Sequence, residues 1–468
     1  MTTRNTKIVC TLGPASESEK MIEKMIKAGM NVARLNFSHG DYSEFVKLIR
    51  NIRKIAKKLG VPVAIMQDLQ GPKIRVGDMP EKGIKITKNQ IIVLTTANIT
   101  GNENKIPVQY KDLPKDVHRH DRILMDDGLL EVEVIKVTPT EITCKVINGG
   151  TVFKHKGINV PTASISANPV TAKDKQDLFF AIKNDVDYVA MSFVKSAKNI
   201  IELRDLIRQK HGKAKIIAKI ERHEAVENLE SIIIEADAVM VARGDLGVEV
   251  AAEQVPLIQK KMIHLANIHG KAVITATQIL QSMVENPRPT RAEMSDAANA
   301  VFDHSDALML SNESAVGKFP VEAAQTLAKV ATSVENFLRK HKDFQQNRLF
   351  LQNTPVSYAT CMNGTKLAID IGAKLIVTIT QSGFTAQHVA KHRTYIPIIT
   401  ITPDPKVRQQ LALVWGLNDI IVHDINFKNF PKEIRTLLLK QKLAKKGDKI
   451  VIISNASREE KVISAVKI

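Results

Sequence analysis

The chain of 468 residues has little cysteine, few aromatic residues and no long apolar run, and each shortage excludes something. Cys10, Cys144 and Cys361 are far apart, odd in number and without metal-ligand spacing. They argue for a reducing compartment and against a disulfide framework or a zinc site. Cys10 lies inside an apolar stretch and reads as a small buried hydrophobe. No stretch of about 18 apolar residues occurs, so no membrane span is expected. The N-terminal MTTRNTKIVC has no apolar core of a secretory signal. With the cysteine usage this makes a cytoplasmic protein the expectation. Aromatic residues are 4% of the chain, too few for base-stacking platforms. The net charge of +18 is therefore read as a solvated basic surface with a modest pull on anions, and no nucleic-acid partner is expected. No GxxxxGK[ST] loop is present to hold phosphates.

What is present is a repeated unit, a short apolar strand followed by an amphipathic helix. Strands are expected at 6–11, 31–37 and 62–67, with helices at 18–28 and 43–59 closed by Gly29 and Gly60. From about Pro72 to Asn168 the rhythm changes to strands separated by Gly, Asp and Pro turns, the pattern of an all-β insertion. The strand–helix unit resumes at Thr171, with strands at 188–193, 215–220, 238–243, 272–277 and 307–311 and a helix at 321–340. Eight such strands predict a (β/α)8 TIM barrel over 1–71 and 169–344, carrying a β-rich lid over 72–168. Beyond 345, helices and strands alternate again, predicting a C-terminal open α/β domain over 345–468. Thr290 and Glu293 have the spacing of a helix capping box and are assigned to structure.

A barrel of this kind carries its chemistry at the C-terminal strand ends. Those ends hold Arg34, Asn36 and Ser38 on one face of the second strand, and Asp68 after the third. The fifth carries Lys219 and Glu221, the sixth runs into Arg243, Gly244 and Asp245, and the last two end at Thr277 and at Ser311 and Glu313. Glu221 and Asp245 suit a hard divalent cation with oxygen ligands. Arg34, Arg75 and Lys219 add positive charge, so the mouth fits a metal-bound, phosphate-bearing anion. His39 follows Ser38 near the same mouth, on the rim or in a catalytic role.

At these residues the chain resembles the pyruvate kinase family. The segments TKIVCTLGPAS (6–16), MNVARLNFSHG (30–40), QDLQGPKIRVG (67–77), AKIERHEAVENL (218–229), VMVARGDLGVE (239–249) and ATQILQSMVENPRPTRAE (276–293) carry the resemblance, in the family's order. It implies transfer of the phosphoryl group of phosphoenolpyruvate to ADP and a homotetramer. It implies Mg2+, or Mn2+ in its place, on Glu221 and Asp245, with Lys219 beside the transferring group. Arg34, Arg75 and, from the lid, Lys156 are implied as phosphate contacts. The backbone of Ala242, Arg243, Gly244 and Asp245 is implied as the substrate-carboxylate cradle, and Thr277 as a proton relay to the enolate. In the C-terminal domain, Thr380, Ser382, Gly383 and Thr385 resemble the loop that binds a phosphorylated small-molecule effector. Two departures stand out. Potassium-dependent members bind the ion near Asn36, Ser38, Asp68 and Leu69 and have glutamate where this chain has Lys73, so K+ is not expected to be required. The last 15 residues, SNASREEKVISAVKI, replace the Trp/Gly/Ser-rich loop of members activated by fructose 1,6-bisphosphate.

Overall fold

The structure is a computed structural model and describes residues 4–38, 40–341, 355–426, 429–454 and 461–468. His39 lies outside the described residues. Among those described, eight parallel strands close into a barrel in chain order: Lys7–Thr11, Val32–Asn36, Ala64–Asp68, Tyr188–Met191, Lys215–Ile220, Ala238–Ala242, Ala272–Ala276 and Ala307–Leu310. The local signals explain the helices between them. Ser18 caps Glu19–Ala28, and Gly29, at φ 123°, ends it. Asp41 and Glu44 form a capping box on Tyr42–Leu59, which stops at the left-handed Gly60. Thr290 and Glu293 form the expected box on Arg291–Phe302. The sixth and seventh strands each end one residue sooner than the sequence pattern predicts, which matters for the site. Arg243 is the first residue of the helix Arg243–Glu249, and Thr277 leaves the strand with φ 65°.

The chain leaves the barrel after the third strand and re-enters before the fourth, which still pair directly (Asp68 beside Ala190). Between them lies a six-stranded sheet ordered Ile158–Asn159, Arg122–Met125, Leu130–Val137, Glu141–Asn148, Ile91–Thr95 and Lys105–Pro107. Its alternating strands bury Ile92, Leu94, Ile123, Val132, Ile142 and Val146 in a core of their own. A third sheet, ordered Asp419–Val422, Ile398–Thr402, Leu375–Ile379, Lys449–Ser454 and Val462–Lys467, has four parallel strands and an antiparallel edge.

This last sheet's domain seals the barrel floor. Leu411, Leu413 and Val414 share one apolar cluster with barrel-interior Val9, Met66, Tyr188, Ile217 and Met309. Polar groups lock the seam. Tyr188 donates to the Gln410 carbonyl at 2.7 Å, Lys406 pairs with Asp187 at 3.0 Å, and buried Lys7 donates to the Leu417 carbonyl at 2.8 Å. The floor is closed, so the opposite, C-terminal mouth is left for chemistry.

Candidate active site

Lys219 and Glu221 lie two residues apart at the end of the fifth barrel strand, and their side chains turn to the same side, into the mouth. The Lys219 ammonium is 2.7 Å from Glu221 Oε1 and 3.3 Å from Asp68 Oδ1, and it donates to the Ser192 hydroxyl at 2.7 Å. Arg34, from the second strand, holds the other Asp68 oxygen at 2.6 Å and donates to the Thr11 hydroxyl. The second Glu221 oxygen accepts the Phe193 amide at 2.9 Å. Burial alone would lower the Lys219 pKa, but Asp68, Glu221 and Asp245 outweigh it and raise it, so the ammonium stays charged. Burial would likewise raise Asp68, yet Lys219 and Arg34 hold its carboxyl below the usual range. At Glu221 the balance goes the other way. Burial raises its pKa, Lys219 opposes that, and the charge of Asp245 adds to the rise. A buried carboxylate whose ionisation is disfavoured by a second one across an open cleft marks a place for positive charge.

The sixth strand supplies Asp245 through the helix Arg243–Glu249. Arg243 anchors that helix by donating to the Thr277 carbonyl at 2.8 Å and pairing with Asp296 at 2.8 Å. The Gly244 amide donates to the Thr277 hydroxyl at 2.8 Å, and that hydroxyl donates to the Ala276 carbonyl. A left-handed backbone is a strained state for a β-branched residue, and such strain collects where a side chain must be aimed. Thr277 is so placed, beside the first turn of the helix.

The cleft itself holds about 190 Å³. Arg34, Asn36, Ser38, Asp68, Leu69, Lys73, Arg75, Lys219, Glu221 and Asp245 all line it, so most of the sequence-predicted residues converge. Others do not. Glu313 is fully buried and accepts the amides of Leu280 and Ser311, so it braces loops rather than facing the mouth. Lys73 lies 3.9 Å from Asp245 on the cleft that Asp68 also lines, while Arg34 and Lys219 pair with Asp68. Lys156 sits in the lid, paired with Asp126 at 2.9 Å. In the distant C-terminal loop Ser382 is exposed, whereas Thr380 and Thr385 are buried.

Sequence reasoning missed Ser192 and Phe193, for which the only signal was a serine directly after the apolar YVAM strand. It also missed a larger cavity of about 1010 Å³ that shares Arg34 and Asn36 with the cleft and continues past Pro14, Gly40, Glu44 and Lys47.

Known proteins are similar to this chain in sequence and in fold. A family model described as the pyruvate kinase barrel domain matches residues 3–324, and one for the pyruvate kinase alpha/beta domain matches 358–468. The chain belongs to the pyruvate kinase family. It is 44% identical over 453 residues to a pyruvate kinase of Geobacillus stearothermophilus, covering 96% of this chain and 77% of that one. Against a pyruvate kinase of Clostridium acetobutylicum it is 44% identical over 420 residues, covering 89% of each. A solved pyruvate kinase from Cryptosporidium parvum superposes with a TM-score of 0.91 at 35% identity, over 99% of this chain and 96% of that chain. Membership of the family makes this chain a phosphotransferase acting on phosphoenolpyruvate and ADP.

Proposed function

We propose that the charged cleft at the barrel mouth moves the phosphoryl group of phosphoenolpyruvate to ADP with Mg2+ and without a need for K+. The observation that carries this reading is the buried Lys219 ammonium held between Asp68 and Glu221, with Asp245 opposite. The donor set fits a hard divalent cation. Glu221 and Asp245 offer anionic oxygens on the cleft, and no sulfur or imidazole ligand lines it among the described residues. Mn2+, with similar oxygen preferences, would be accepted in the same place. Held by Glu221 and Asp245, the ion would supply Lewis-acid chemistry, screening the negative charge of a phosphorylated, carboxylate-bearing substrate.

The chain's own residues do the rest. Lys219 lies where charge builds on the transferring group, and its charge is fixed by its carboxylate neighbours. Arg34 and Arg75 orient the phosphates. The amides that open the Arg243–Glu249 helix hold the substrate carboxylate. The proton for the enolate carbon is assigned to the Thr277 hydroxyl, a reading supported by its fixed position between Gly244 and Ala276 beside the metal-site helix. The cavity past Pro14 and Gly40 has the volume for a nucleoside and joins the cleft at Arg34, so ADP is assigned there, with Lys156 of the lid reaching its phosphates. Lys73 carries a built-in positive charge to the Asp245 side of the cleft, which supports K+ independence.

The remaining parts of the reading follow from the family: a cytoplasmic homotetramer regulated by a phosphorylated small molecule at residues 380–385. Fold topology supports the effector position. That loop leaves the strand Leu375–Ile379, from which the parallel sheet is built outward in both directions, and ligands of open α/β sheets settle at such switch points.

Asp245→Asn and Glu221→Gln test the metal site. Each removes one anionic ligand, so Mn2+ binding followed by electron paramagnetic resonance should weaken strongly in both. Unchanged affinity in both would place the metal elsewhere.

A further inference from the structure

Glu249 is the last residue of the helix that begins at Arg243, and it is only 4% exposed. A carboxylate there is unfavourable twice over, since it faces the negative end of the helix dipole and has lost its water. Its partners account for it. Oε1 accepts the Asn159 side-chain amide at 2.9 Å and lies 3.7 Å from the Arg222 guanidinium, and Oε2 is 3.4 Å from His223 Nδ1. Asn159 belongs to the lid, in the strand Ile158–Asn159. Gly128 of the lid also comes near this helix, with room between them: a methyl group built on its α-carbon would sit at ordinary van der Waals distance, 3.8 Å, from Val248. Arg222, which directly follows Glu221, also donates to the Ala163 carbonyl on the linker by which the lid returns to the barrel. His223, Glu224 and Glu249 present ligand atoms within 4.8 Å of one another. Arg222 already pairs with both carboxylates, however, and would compete with a metal for their oxygens.

We propose that Glu249 is a positioning residue that latches the lid to the metal-site helix through Asn159, so that one rigid seven-residue helix fixes Asp245 at one end and the angle of the lid at the other. Glu249 touches neither substrate. It acts on ADP through the lid; phosphoenolpyruvate, held mainly by Arg34, Lys219 and the helix amides of the barrel with Arg75 alone from the lid side, is affected much less. The kinetic part of this proposal rests on the placement of ADP between lid and barrel given above.

The test combines a structural and a kinetic readout in the full-length enzyme. The three native cysteines are buried, so spin labels at Lys136→Cys on the lid and Lys261→Cys on a barrel helix report the lid–barrel distance without background. Asn159→Ala should broaden that distance distribution. Asn159→Ala and Glu249→Ala should each raise the KM for ADP on the order of tenfold, the scale of one hydrogen bond to a charged group, with the KM for phosphoenolpyruvate within about twofold. The double variant should be no worse than the single ones. Glu249→Gln, whose amide oxygen still accepts from Asn159, should recover most of the ADP affinity. An unchanged distance distribution overturns the latch whatever the kinetics show, and Asn159→Ala supplies this readout even if Glu249→Ala fails to fold. A broadened distribution with equal rises in both KM values overturns the assignment of ADP to the lid instead.

Discussion

At the residue scale, the site is organised around one ammonium. Lys219 is buried among Asp68, Glu221 and Ser192, and its charge is needed there with or without substrate. Lys219→Ala therefore removes a donor aimed at charge that develops during transfer, while Arg34 and the helix amides still bind the ground state. We expect kcat to fall about 10²–10³-fold with the KM for phosphoenolpyruvate changed only a few-fold; an unchanged kcat removes Lys219 from the chemistry. The residues of this cluster were legible because they stand at strand ends with a spacing of two. Ser192 and Phe193 were not. Their contributions are a hydroxyl relay to the Leu69 carbonyl and a backbone amide to Glu221, and a backbone amide leaves no trace in residue type.

At the scale of elements, the alternation of short apolar strands with capped helices announced the barrel, since Gly29, Gly60 and Thr290 are chemical punctuation that needs no tertiary context. The lid's order could not be read in the same way. Antiparallel pairing of Leu130–Val137 with Glu141–Asn148 is local, but Ile91–Thr95 finds Lys105–Pro107 on one side and Glu141–Asn148 on the other, which only the folded sheet decides. The expectation that Glu313 faces the mouth failed for a similar reason. Two loop amides, those of Leu280 and Ser311, draw it inward. In the C-terminal domain, the loop 380–385 offers an exposed Ser382 beside the left-handed Gly383. Ser382→Asp places a negative charge where a phosphorylated effector is proposed to bind. It should abolish activation by sugar or nucleotide monophosphates while sparing basal turnover, as read from activator titrations; an unaffected activation curve counts against the loop.

At the scale of the whole molecule, the C-terminal domain and the barrel share one apolar cluster, and a buried lysine sits in the seam. Burial, with Arg4 nearby, lowers the Lys7 pKa from 10.5 to about 7, against the opposing pull of Glu335, Asp419 and Asp306. Between those two values the unfolded chain binds a proton that the folded one does not, so this residue's contribution to stability rises as pH increases from about 7 towards 10.5. The difference in unfolding free energy between wild type and Lys7→Met should shift in favour of wild type across that window. A pH-independent difference would mean that Lys7 keeps its charge in the seam. No sequence pattern foretold this contact, because Lys7 and Leu417 are 410 residues apart. The central claim concerns the opposite end of the barrel, where a phosphotransferase mouth carries Lys73 as its own monovalent charge, 3.9 Å from Asp245. Its most direct test is ATP formation from phosphoenolpyruvate and ADP with Mg2+, at fixed ionic strength, with tetramethylammonium as the only added monovalent cation. The account predicts near-full turnover under those conditions, and a K+ requirement that appears only in Lys73→Glu. A wild-type enzyme that is silent until K+ is added would contradict it.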